Sequence, residues 1–169
     1  TYPSTGSLIL FDTCTFTSNS VTDPGGSGNA GAIYHQNGTL TLRLSTFSGN
    51  CAAKGGGALW SIADYSTIEN CTIAGNSAVA SPGFGGGLRL SGVHWINSCT
   101  ISGNTAGGWG GGIWTGSAST VTIANTLLQD NTGTNLFNGW NKFLDGLNGV
   151  VCLPHTHAIV VVNPWALVV

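Results

Sequence analysis

Five times in this chain a short segment of alternating polar and apolar residues runs into an asparagine. The copies are Cys14-Thr15-Phe16-Thr17-Ser18-Asn19, Ser45-Thr46-Phe47-Ser48-Gly49-Asn50, Cys71-Thr72-Ile73-Ala74-Gly75-Asn76, Cys99-Thr100-Ile101-Ser102-Gly103-Asn104 and the looser Thr126-Leu127-Leu128-Gln129-Asp130-Asn131. The asparagines recur every 26 to 31 residues, a period that marks a solenoid or array. A second motif alternates with the first: Gly31-Ala32-Ile33-Tyr34, Gly57-Ala58-Leu59-Trp60, Gly86-Gly87-Leu88-Arg89 and Gly111-Gly112-Ile113-Trp114. A unit this small cannot bury an apolar face alone, so the copies must stack.

No stretch carries the apolar 3.6-residue period of a helix, whereas short segments alternate with period two. Lining up the copies puts Phe11, Leu42, Ile68, Ile96 and Ile123 in one column and Phe16, Phe47, Ile73, Ile101 and Leu128 in another. Both columns point inward because side chains alternate along a strand. The chain is therefore expected to be all-β, a single-domain parallel β-helix of about five coils over residues 1–131. Residues 132–169 fit no repeat and are read as an atypical C-terminal cap or assembly segment. The column Asn19, Asn50, Asn76, Asn104 and Asn131 is read as a structural ladder, because an amide at a sharp bend can satisfy backbone groups and bond to the amide above it.

Charged residues make up 6% of the chain and glycines number 27, a composition that points to an extracellular or surface scaffold. A formal charge of -2 gives no basic footprint for nucleic acid. The chain has no Met and reads as a processed form or a fragment. The apolar run from Ile159 to Val169 is broken by Asn163-Pro164 and too short to span a bilayer, so it is read as strand. Of the five cysteines, Cys14, Cys71 and Cys99 share an inward repeat position, while Cys51 and Cys152 lie outside it. Asn37-Gly38-Thr39 is a glycosylation sequon on an expected turn.

The two motifs together resemble the repeats of chlamydial polymorphic outer membrane proteins and of related bacterial right-handed β-helix surface proteins. Phe16 to Asn19, Phe47 to Asn50, Ile73 to Asn76, Ile101 to Asn104 and Leu128 to Asn131 match the first motif, with Ile or Leu for Phe in three copies. Gly57-Ala58, Gly86-Gly87 and Gly111-Gly112 keep the second, and Asn29-Ala30-Gly31-Ala32 departs from it. The resemblance covers residues 8–131. It implies a right-handed coil, surface exposure and adhesive or structural work.

Chemistry finds few carriers. Glycoside hydrolysis needs two carboxylates on one face. Asp12 and Glu69 share a repeat position, but Arg43 stands between them, and the three are expected to form a ladder. His155 and His157 share a strand face without further ligands nearby, and His35 and His94 stand isolated in the sequence. No catalytic residue, metal site or cofactor is expected. The outward Thr15, Thr46, Thr72 and Thr100 lack the second regular rank that an ice-binding array would need.

Two function classes lead, in this order, with an enzyme acting on polysaccharide standing third. The first is a secreted subunit that assembles head to tail into a homopolymer. It would use the first strand Leu8, Ile9, Leu10 and Phe11 and the apolar tail Ile159, Val160, Val161, Val162, Trp165 and Leu167. The second is a surface adhesin or carbohydrate-binding module, or a piece of a longer autotransporter-like protein, that meets cell-surface glycans through Tyr34, Trp60, Arg89 and Trp114.

Overall fold

A computed structural model describes residues 7–23, 28–116 and 119–132, and for backbone pairing alone residues 136–138, 150–153, 158–161 and 167–168. Every described element is a strand. The first coil holds β1 (Leu8–Asp12), β2 (Thr15–Thr17) and β3 (Ser20–Val21). The second holds β4 (Ile33–Gln36), β5 (Thr39–Arg43), β6 (Thr46–Ser48) and β7 (Cys51–Ala52). The third holds β8 (Leu59–Glu69), β9 (Thr72–Ala74) and β10 (Ser77–Ala78), and the fourth β11 (Leu88–Asn97), β12 (Thr100–Ser102) and β13 (Thr105–Ala106). The fifth holds β14 (Ile113–Thr115), β15 (Thr120–Ala124) and β16 (Thr126–Gln129), and β17 (Leu136–Asn138) starts another level.

Corresponding strands of successive coils pair in parallel and build three sheets around one interior. Register follows the repeat alignment: Phe11, Leu42, Ile68, Ile96 and Ile123 are neighbours on one sheet, and Phe16, Phe47, Ile73, Ile101 and Leu128 on another. From Leu42 and Phe47 onward these side chains are almost completely buried, and Phe16 stacks on Phe47 with ring centroids 4.6 Å apart. The long strand β8 pairs with both β4 and β5 of the coil before it, and its pairing with β11 shifts by one residue between Gly92 and Val93. The residue left unpaired by that bulge is Asp64, whose Oδ2 accepts the Gly38 N–H at 3.2 Å.

Each coil turns sharply at fixed positions, and the turns need left-handed backbone. Thr13, Leu44, Asn70, Ser98 and Asn125 form one column of positive φ (49° to 56°), and Ser18, Gly49, Gly75, Gly103 and Asp130 a second. At Gly57 the constraint is space as well, because a Cβ there would stand 2.0 Å from the carbonyl oxygen of Gly86.

After the fifth coil the pairing changes sense. β18 (Val150–Leu153) and β19 (Ala158–Val161) form an antiparallel pair, and β19 lies antiparallel on β16, with Ile159 opposite Leu128 and Val161 opposite Thr126. β20 (Leu167–Val168) pairs antiparallel with β15. The apolar tail thus folds back on its own last coil at Ile159, Val160, Val161 and Leu167, where the sequence reading had left it spare for a neighbour. Val162 and Trp165, and His155 and His157, lie outside the described residues. No described helix is long and apolar enough to cross a membrane.

Candidate functional site

Tyr34 of β4, Trp60 of β8, Arg89 of β11 and Trp114 of β14 are neighbours on successive strands, and Phe137 follows in register. Tyr34, Trp60, Arg89 and Trp114 point outward because the residues beside them on each strand, such as Leu59, Ser61, Leu88 and Leu90, fill the interior. Stacking at one strand spacing, about 4.8 Å, brings the rings into contact. Tyr34 meets Trp60 edge to face at 5.4 Å, and the Arg89 guanidinium lies over the Trp60 ring, its carbon 3.7 Å from the centroid.

A second column stands against the first. Gly55, Phe84 and Trp109 are bridged in parallel, just before Gly56-Gly57, Gly85-Gly86-Gly87 and Gly110-Gly111-Gly112 of the third, fourth and fifth coils. Phe84 is 5.4 Å from both Trp109 and Trp114, and 5.1 Å from Arg89. The guanidinium is enclosed by Trp60, Phe84 and Trp114, an arrangement stabilised by the negative ring faces. Its Nε and one terminal nitrogen, and the indole nitrogens of Trp60 and Trp114, are buried without a hydrogen-bond partner. Burial moves the Arg89 pKa below its usual value, though a guanidinium stays charged. Tyr34 and Trp109 are left 45% and 48% exposed, one at each margin of the wall. The outer face continues along β8 and β11 through exposed Ile62, Tyr65 and Val93.

A family model for the right-handed β-helix region matches residues 4–153. The chain belongs to the right-handed β-helix family. No curated protein and no solved structure matches it. In this right-handed β-helix the wall occupies the outer face of the sheet that contains the longest strands, β8 and β11.

The other residues singled out in the sequence are placed as follows. Asn50, Asn76 and Asn104 are fully buried, Asn131 nearly so and Asn19 exposed. Each Oδ1 from Asn50 to Asn131 accepts two bonds of 2.9–3.0 Å, from the backbone N–H and the Nδ2 of the asparagine one coil earlier. The remaining Nδ2 hydrogens of Asn50, Asn76, Asn104 and Asn131 reach the carbonyls of Phe16, Phe47, Ile73 and Ile101. Asp12, Arg43 and Glu69 are strand neighbours, and Arg43 bonds Asp12, whose carboxyl it holds below the usual range. Among the described residues no group of three or more potential metal ligands occurs.

Sequence reasoning missed two features. Phe84 and Trp109 carried a signal, since each immediately precedes a glycine triplet at the position of Gly55. His35 and His94, read as isolated, both point inward from the second and fourth coils. His35 Nδ1 lies 3.2 Å from Ser61 Oγ, and His94 Nδ1 bonds Ser66 Oγ, both serines belonging to the third coil between them. Burial lowers both pKa values, that of His94 to about 4, and the nearby His35 adds to the depression.

Proposed function

We propose that this β-helix is a surface-exposed glycan-binding module, with the Tyr34-Trp60-Arg89-Trp114 column and the adjoining Phe84 and Trp109 as its binding wall. The observation that carries the reading is the cluster of five aromatic rings on a sheet face, three of them enclosing the Arg89 guanidinium and the other two, Tyr34 and Trp109, half in solvent. Rings held one strand apart offer flat apolar faces to the C–H faces of sugar rings, while Arg89 and the tyrosine hydroxyl supply polar contacts. The likeness of the Asn and Gly-Gly motifs to the chlamydial surface repeats supports an extracellular location. In this reading the protein binds without catalysing.

Affinity electrophoresis through gels containing neutral or acidic polysaccharides, backed by a glycan array, tests it. At least one polysaccharide should retard the chain, and Trp109→Ala or Tyr34→Ala should weaken retention about tenfold, the effect of roughly 1.4 kcal/mol. Migration unaffected by every polysaccharide would sink the proposal.

One observation favours self-assembly as a second reading. The outer edge of β1 has no strand on it among the described residues, with Leu8 73% and Leu10 55% exposed. Electron microscopy across a concentration series would then show filaments with an axial repeat of about 25–30 Å, five or six stacked coils. Single particles at every concentration would exclude it. The tail is already paired within the chain at Ile159–Val161, so glycan binding takes precedence over strand donation.

A further inference from the structure

The inward position at the head of β2, β6, β9, β12 and β16 is filled by Cys14, Ser45, Cys71, Cys99 and Thr126 in turn. All five do the same local work: the side-chain sulfur or oxygen donates to the carbonyl two residues back, at Asp12, Arg43, Glu69, Asn97 and Ala124. A hydroxyl performs that job at 2.7 Å and a thiol at 3.2–3.3 Å. Capping therefore does not by itself require sulfur here. The column also bonds between coils, since Cys14 N–H donates to Ser45 Oγ and Cys99 N–H to Thr126 Oγ1.

Only at one step of the column do two thiols meet. The pairing of Thr72 with Thr100 sets Cys71 directly below Cys99, and the Thr100 N–H donates to the Cys71 carbonyl at 2.9 Å. Cys99 Sγ also reaches back to the Ile68 carbonyl of the coil below, at 3.4 Å. Both residues are buried, 2% and 3% exposed, and both are free thiols. Adjacent strands stand about 4.8 Å apart, inside the Cα separation of about 4.4–6.8 Å that disulfides span. Their Cβ atoms must come within about 3.5–4.5 Å, so closure draws the two corners together. A bond formed under such a demand is more readily reduced than a relaxed one.

We propose that Cys71 and Cys99 form a reversible redox site, a cross-coil disulfide that ties the third coil to the fourth and thereby the strand of Trp60 to that of Arg89. The oxidant is a small-molecule disulfide of the glutathione class. The Cys71 thiolate attacks one sulfur of the oxidant and expels the first small thiol, leaving a mixed disulfide on Cys71. Cys99 then gives up its proton, attacks Cys71 Sγ and expels the second small thiol. Two protein thiols are oxidised and one external disulfide is reduced. Cys71 is the attacking group because its contact with Cys99 holds its pKa down, whereas the same contact and burial push Cys99 up. Burial confines the exchange to molecules in which this corner has opened, or to the chain as it folds.

The test incubates the full chain in glutathione buffers from reducing to oxidising, through one cycle of unfolding and refolding, followed by peptide mapping without reduction and thermal melts. The expected result is a Cys71–Cys99 linked peptide, lighter by two hydrogens than its free halves, that disappears in reduced glutathione. The oxidised form should melt higher by about 5–10 °C, the effect of closing a loop the length of one coil. Cys71→Ser keeps the cap that Ser45 already makes, so it should fold and lose both the linked peptide and the redox-dependent shift. Free Cys71 and Cys99 in refolded, fully oxidised protein would overturn the proposal. So would a bridge to Cys14, Cys51 or Cys152, or a redox-dependent melting shift that survives in Cys71→Ser.

Discussion

Two columns of this molecule obey the same translation, one residue per coil, and spend it differently. The asparagine column repeats one residue type, and every amide in its middle is fully hydrogen-bonded. The aromatic column repeats a position but not a residue, and the indole nitrogens of Trp60 and Trp114 and two nitrogens of Arg89 are buried without a hydrogen-bond partner. Identity along a column allows each side chain to satisfy the next, so the column becomes scaffold. Variety prevents that closure, and the column leaves the rings of Tyr34 and the adjoining Trp109 half open to solvent.

The sharpest way to break this contrast is Asn76→Ala. It strips the Asn50 backbone N–H and side-chain amide of their buried acceptor, and two such orphans at about 1–3 kcal/mol each give a loss of about 3–5 kcal/mol in chemical denaturation. Asn19→Ala, at the exposed end, should cost about 1 kcal/mol. Equal costs at the two positions would mean that the ladder has no special interior.

Acid tests a buried polar group outside the ladder. His94 is held neutral, its folded pKa of about 4 lying below the ordinary value of 6.5. The unfolded chain therefore binds the proton more readily, and the stabilisation is complete above pH 6.5 and lost as pH falls toward 4. The loss is on the order of 3 kcal/mol. Melting curves between pH 7 and 4 should show it, and His94→Gln should flatten the profile; an unchanged profile in that variant would assign the acid response elsewhere.

Trp60→Leu should cost only about 1–2 kcal/mol, because the residue is partly exposed and its contribution includes a cation–π contact. Its glycan retention, in contrast, should be lost. The smallest effect is a gain. Leu44 holds a left-handed backbone (φ 49°) where neighbouring coils place Asn70, Ser98 and Asn125, and Leu44→Asn should stabilise by about 0.5–1 kcal/mol in the same denaturation assay.

The coil register was legible because the first and second sheets repeat the same offsets from each asparagine, so aligning Phe16 with Phe47 and Ile73 already aligned the strands. The tail was not, because Ile159–Val161 has no counterpart in any repeat, and antiparallel pairing leaves no period to read. The wall was half legible. Trp60 and Trp114 stand at a fixed offset from Gly-Gly, but the enclosure of Arg89 depends on Phe84, which arrives from the preceding loop. The inward placement of His35 and His94 escaped because they occupy different positions of the repeat, one opposite Ser61 and the other opposite Ser66 of the third coil, and neither position carries histidine in the coils between and beyond.

The asparagine ladder also has a direction. At each step one N–H of the side-chain amide points to the later coil and its carbonyl oxygen to the earlier one, so the side-chain dipoles add in series along the axis, as peptide dipoles do along a helix. The Asn19 end is the negative pole. Two copies meeting by their first coils would set oxygen against oxygen, while copies in series would continue the donor-to-acceptor order. The stack is a vector, and any partner that docks on its axis meets a different polarity at each end.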